Sequence, residues 1–112
     1  MEKLAIKTEL KGNVAIVTVN GQIDSETAPA FDEELTKVTS NHSNLVIDLN
    51  GVDYMSSAGI RAVVRASQAT KKSGGAVKLA SVPEAVTSVL YTVGLNQTIS
   101  SYSTVEEATT SF

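Results

Sequence analysis

Leu4, Ile6, Thr8 and Leu10 alternate with charged or small residues at the start of the chain, the period-two pattern of a strand with one buried face. Lys11-Gly12-Asn13 breaks that pattern, and Val14 to Val19 follows as a nearly continuous apolar run. The pair reads as a hairpin whose second strand is the more central. Beyond Gly21, the polar stretch Asp24 to Thr27 precedes Pro29, and Ala28, Phe31, Leu35 and Val38 then recur at helical spacing. Pro suits a first helical turn, where its missing N–H costs nothing, so an amphipathic helix is predicted, ending near Ser40 to Ser43.

Leu45 to Leu49 is a short β-branched run bounded by Asn44 and Asn50-Gly51, predicted as a buried strand. A loop, Asn50 to Gly59, leads to a second helix over Ile60 to Lys72, with Ile60, Val63, Val64 and Ser67 on one face and Ser73-Gly74-Gly75 as its stop. Val77 to Ser81 reads as a strand. Pro83 opens a third helix with the stripe Val86, Val89, Leu90 and Val93 and a stop at Gly94. A brief strand around Thr98 to Ser100 and a capping-box pattern over Ser103 to Glu106 complete the chain, with Val105 and Ala108 facing inward. The order β-β-α-β-α-β-α-β-α predicts one α/β domain over 1–112: a mixed, mostly parallel sheet with an N-terminal antiparallel hairpin, packed by four helices.

Functional loops in such sheets lie at the carboxyl ends of strands, here Gly21 to Thr27 and Asn50 to Gly59. Composition narrows what they do. The 112 residues include no Cys and a single His, His42, so neither a thiolate nucleophile, a Cys-based zinc site nor a His cluster is available. Asp24, Asp48 and Asp53 stand near the same strand ends, yet a nucleophile with a base beside it cannot be assembled around them. Asp24 reads as a cap or loop organiser and Asp48 as an acceptor for backbone donors. Gly74-Gly75 runs from helix to strand, the reverse of a phosphate-cradling loop. A net charge of −3, a pI near 5.0 and 4% aromatic content oppose nucleic-acid binding. The alternating N-terminus lacks the apolar core of a signal peptide, and no apolar run nears the ~20 residues of a membrane span. A cytoplasmic protein without enzymatic activity, metal or cofactor is expected.

Ser56-Ser57 falls where the second helix should begin. A Ser there ordinarily caps the helix, a role worth about 1 kcal/mol. Two Ser followed by Ala58-Gly59 also leave the tip open to a macromolecule, and the helix start would tolerate a phosphate. Arg61, Arg65 and Lys72 form a basic stripe beginning next to Ser57. It reads as a solvated face or as a contact for an acidic partner.

Three stretches resemble the STAS domain, and among its members the small bacterial anti-sigma factor antagonists: Gly21 to Pro29, Asp48 to Arg61, and Gly94 through Tyr102 to Ala108. They occur in the family's order and spacing along nearly the whole chain. The resemblance implies partner switching, in which the unmodified antagonist binds an anti-sigma factor serine kinase and releases the sigma factor. Phosphorylation then breaks the complex until a serine phosphatase restores it. Ser57 matches the acceptor. Ser56 is the second candidate, because it stands where many phosphorylated members carry Asp. The partner-binding set implied is Asp24, Ser25, Thr27, Met55, Ser56, Ser57, Ala58, Gly59 and Arg61, with Asp24 beside the acceptor and Met55 as an apolar contact at the same surface. ATP would belong to the kinase. A STAS scaffold without phosphorylation, or an accessory subunit of a transporter or lipid-trafficking complex, is the alternative. The chain is expected to be a monomer or a weak homodimer, the first strand being the segment most able to pair with another copy if it lies at an edge.

Overall fold

The hairpin forms as predicted: β1 (Leu4–Lys11) pairs antiparallel with β2 (Val14–Ile23) in one unbroken register from Leu4↔Gly21 to Lys11↔Val14. It opens a computed structural model that describes residues 4–92, 94 and 99–112. The chain continues through α1 (Ala28–Thr39), β3 (Asn44–Met55), α2 (Ser57–Lys72), β4 (Ala76–Ala80), α3 (Glu84–Thr92), β5 (Ser101–Tyr102) and α4 (Val105–Thr110). The five strands lie in sequence order, β1-β2-β3-β4-β5, and every pair after the first is parallel. The predicted element order and mixed sheet are therefore the observed ones.

Strand order that advances in one direction has a consequence for the layers. Each β-α-β crossover is right-handed, and without a reversal successive crossovers put their helices on the same side of the sheet. One core accordingly joins Ala15, Val17, Leu45, Ile47, Val77 and Leu79 of the sheet to Phe31 and Leu35 of α1, Ile60 and Val63 of α2, and Val86 and Leu90 of α3. The opposite face holds a smaller cluster, where Ala108 of α4 packs on Val14, Ile16, Val46 and Ala80. β2 and β3 are buried on both faces, which is why their sequences run apolar without alternation.

The predicted helical stripes hold in detail. Ala28, Phe31, Leu35 and Val38 are the buried residues of α1. In α3, Val86 and Leu90 are buried and Val89 partly so, while Val93 lies outside the described residues. Gly94, at φ +77°, takes the left-handed conformation that ends α3, its N–H reaching Tyr91 O at 3.1 Å.

Several boundaries differ from the sequence reading. β3 does not end at Leu49 but runs to Met55, and β2 runs to Ile23, so much of each presumed loop is strand. Two register irregularities, between Thr18 and Asn20 and between Gly21 and Gln22, let this polar extension pair; they bend a strand and re-aim its end. α2 starts at Ser57 rather than Ile60. The last strand is Ser101–Tyr102 rather than a segment around Thr98 to Ser100, of which Thr98 lies outside the described residues. Finally, Thr104 caps α4 by accepting from the Glu107 N–H at 3.1 Å, one residue later than the pattern over Ser103 to Glu106 suggested.

Candidate functional site

The extended pairing of β2 with β3 brings the two predicted loops together. Ile23 lies opposite Met55, and the Ser56 N–H continues the ladder by donating to Ile23 O at 2.7 Å. Beyond that bond each chain turns into a helix, so the starts of α1 and α2 stand side by side. Parallel strands make this juxtaposition, since both deliver their carboxyl ends to the same edge of the sheet.

On the β2 side, Asp24 organises the turn. Its Oδ1 accepts from the Glu26 N–H at 2.9 Å and the Thr27 N–H at 3.0 Å. The Thr27 hydroxyl accepts from the Asp24 N–H at 2.9 Å and donates to Gln22 O at 2.6 Å. These bonds, with the Ala28 N–H donating to Asp24 O at 2.9 Å, hold the short turn and leave Ser25 exposed at its tip. The sequence reading of Asp24 as a loop organiser is the observed role. Asp48 also behaves as expected, accepting from the Asn50 N–H at 3.0 Å. Its pairing partners, Thr18 and Ala80, place it on the face away from α1 and α2. Among the described residues no group of three His, Cys, Asp or Glu converges as a metal site would require.

On the β3 side, the two adjacent serines separate into different roles. Ser56, extended at φ −81° and ψ 171°, is the N-cap, and its hydroxyl accepts from the Gly59 N–H at 3.4 Å. Ser57 is the first helical residue and is exposed, with no side-chain hydrogen bond among the described residues. The first turn of α2 carries no acidic residue. The first N–H groups of the helix and the positive end of its dipole stand beside Ser57.

Gly59 and Met55 build this tip from beneath. A Cβ on Gly59 would lie 2.6 Å from Ile23 Cγ2 and 2.9 Å from Met55 Cγ, so only glycine lets the first turn of α2 settle onto the strand ends. Met55, expected as an apolar contact at the docking surface, is instead 2% exposed and part of the main core. Its alternation with the outward-facing Tyr54 turns it inward, opposite Ile23. Asp24, Thr27, Ser56 and Ala58 are half-buried, and Ser25, Ser57 and Arg61 are exposed. The outward surface of the predicted set is thus formed by those seven residues, with Met55 and Gly59 supporting it.

An open groove of about 280 Å³ runs between the starts of α1 and α2, lined by Ser25, Ala28, Pro29, Asp32, Ala58, Arg61, Ala62 and Arg65. Arg65 crosses the seam to Asp32, Nη1 to Oδ2 at 3.0 Å. Of the basic stripe, Arg65 is therefore paired, and Arg61 is exposed and lines the groove. The sequence reading assigned neither Asp32 nor the small residues Ala28 and Ala62 a part in the site. Opposite charges at Asp32 and Arg65, each on a helix face otherwise taken as solvated, were the available signal.

A family model for the STAS domain matches residues 5–108 of this chain. The chain is 32% identical over 100 residues to the anti-sigma-F factor antagonist RsfB of Mycobacterium tuberculosis, covering 87% of this chain and 80% of that protein. It is equally identical, 32% over 96 residues, to the anti-sigma-B factor antagonist of Bacillus subtilis, covering 84% and 88%. Among solved structures, an anti-sigma factor antagonist from Mycobacterium paratuberculosis superposes with a TM-score of 0.88 at 28% identity, over 96% of this chain and 92% of that one.

Proposed function

Because this chain belongs to the STAS domain family, we propose that it is an anti-sigma factor antagonist, a regulatory binding protein whose partner surface is the paired tip of α1 and α2. The proposed partner is an anti-sigma factor serine kinase, acting in the cytoplasm, with a serine phosphatase resetting the switch. Ser57 is the proposed acceptor. The observation that carries this assignment is the division of labour between the two serines: Ser56 has its hydroxyl engaged in the cap and is half-buried, whereas Ser57 is exposed. A kinase must reach the hydroxyl and bring a phosphate to it, and only Ser57 is presented for that.

The local electrostatics favour the modified form without requiring the fold to change. A phosphate on Ser57 adds about −1.5 to −2 charges, beside the first N–H groups of α2 and a helix dipole that stabilise an anion. Arg61 lies one helical turn further on and is exposed. The same charge and bulk fall on the exposed start of α2, beside the groove residue Ala58, where a close partner would sit. Binding is lost because the surface changes, while the domain stays folded.

Incubation with a candidate anti-sigma factor kinase and ATP, followed by mass spectrometry, tests the assignment. Phosphate is expected on Ser57 in the wild type and in Ser56→Ala, and absent from Ser57→Ala. Ser57→Asp is expected to lose kinase binding. Phosphate confined to Ser56, or binding indifferent to Ser57→Asp, would overturn the switch and leave a constitutive scaffold.

A further inference from the structure

β1 ends the sheet. Among the described residues it pairs only with β2, and its other side presents a row of backbone N–H and C=O groups over eight residues, Leu4–Lys11. Proteins usually blunt such an edge with Pro, a bulge, a short strand or charged side chains, especially Lys; the charges of this strand, Lys7, Glu9 and Lys11, alternate in sign and so can pair with a second copy. Here the strand holds no Pro or Gly, its register with β2 is continuous, and the irregularities all fall between β2 and β3. Leu10 on this strand is 61% exposed, a large apolar side chain with nothing over it among the described residues.

We propose that this edge pairs with the β1 edge of a second copy, antiparallel and about a two-fold axis at Thr8. Two identical strands crossing at Thr8 place each residue opposite the one equally far on its other side. Lys7 then faces the partner copy's Glu9, and Glu9 its Lys7; Ile6 faces Leu10, Ala5 faces Lys11, and Thr8 faces itself. Lys7 and Glu9 are matched on one face, with Lys11 opposite the small Ala5, and the exposed Leu10 gains an apolar neighbour. Other axes do worse: one at Ile6 engages only Leu4 to Thr8 and leaves Lys7 opposite Ala5, one at Lys7 sets two lysines together, one at Glu9 sets two glutamates together and Lys7 against Lys11, and one at Leu10 engages only the strand end. Opposite charges directly across a strand pair stabilise it and like charges destabilise it, so the order of charges in β1 selects one register.

The two faces of the edge are compatible with the pairing. Lys7 and Glu9 already lie 3.6 Å apart, with side chains 76% and 58% exposed, on the face that bears no α1 to α3. On the other face Thr8 donates to Glu34 of α1 at 2.8 Å, which anchors the strand to its own helix layer. The product is a continuous ten-stranded sheet, two copies of the five-stranded one. Its interface lies apart from the Ser57 surface, and the inference does not depend on the proposed phosphorylation.

Sedimentation equilibrium of the full chain, from about 10 μM to about 1 mM to cover the range of a small contact, tests it through a charge swap. The wild type is expected to associate as a dimer. Lys7→Glu and Glu9→Lys each create two like-charge pairs and should each weaken the dimer about tenfold or more. The double variant, Lys7→Glu with Glu9→Lys, restores both pairs and should restore the affinity. A monomer throughout the range, singles that associate like the wild type, or a double variant no stronger than the singles would each overturn the proposal. Circular dichroism of each variant checks that these exposed substitutions leave the fold intact.

Discussion

Both atoms that a Cβ at Gly59 would strike belong to buried side chains, Ile23 at 0% and Met55 at 2% exposure. Neither can swing into solvent, and Ile23 is β-branched, so the first turn of α2 has to lift instead. Overpacking of this kind costs about 1–3 kcal/mol. Gly59→Ala is expected to lower stability by that amount in urea unfolding and to weaken partner binding as well, since Ser57 rides on the displaced turn. Stability unchanged within experimental error would mean that the tip is more loosely packed than these distances state. At this scale the sequence was only half legible. The pair Ser56-Ser57 could be recognised at a helix start, but which hydroxyl caps and which faces out depends on where β3 stops and the helix begins. That boundary is set by Ile23 O accepting the Ser56 N–H, a contact across 33 residues of chain.

The same difficulty explains the length of the strands. Asn20-Gly21-Gln22 and Asn50-Gly51 look like turns by composition, yet both are strand because each supplies the other's partner. Local propensity loses to a ladder that only tertiary pairing provides. Helices, whose partners are local, were legible to within a residue or two at most ends. The turn after β2 falls between these cases, because Asp24 and Thr27 can be seen in sequence as a local hydrogen-bonding pair. Asp24→Ala removes the acceptor for two N–H groups, each bond to a charged group being worth about 1.5–3 kcal/mol before solvent screening. The turn is only half-buried, so a net loss of about 1–2 kcal/mol is expected. Faster hydrogen exchange at Glu26 and Thr27 should accompany it, with much of the protection kept in Asp24→Asn. By contrast the Arg65–Asp32 pair, exposed on the Arg side, adds little to stability despite its short distance.

Across the molecule, three helices share one face and α4 guards part of the other. Lys78 ties that second face to the chain end: Nζ donates to Ser111 O and Ser111 Oγ, both at 2.8 Å, and sits 4.3 Å from the Phe112 ring centre. Tyr102 belongs to the same cluster. Its phenol is held below the usual value of 10.0, first by a hydrogen bond with the Ser111 side chain, against the effect of burial and with help from the Lys78 ammonium. A depressed value means that the unfolded chain holds the proton longer, so this group makes stability rise with pH between its folded value and about 10. The Tyr102 ring resonance should titrate below the usual tyrosine value and move upward in Ser111→Ala. No movement would place the cause elsewhere than at Ser111.

One direction of strand order also means no reversal point in the sheet, and hence no crevice of the kind in which doubly wound sheets bind nucleotides. The proposed partner surface is instead the outward tip of two adjacent helices. The sequence by itself determined the order of elements, the hairpin, the buried stripes and the family's motifs, because each is written in local periodicity or in a contiguous run of residues. Only the tertiary structure decided that Met55 faces the core, that Asp48 lies on the face away from α1 and α2, that Arg65 is paired across a groove, and that β1 is an edge strand. Those outcomes depend on which strand lies beside which and on the direction each side chain takes from that pairing, and a parallel partner is always at least a helix away along the chain.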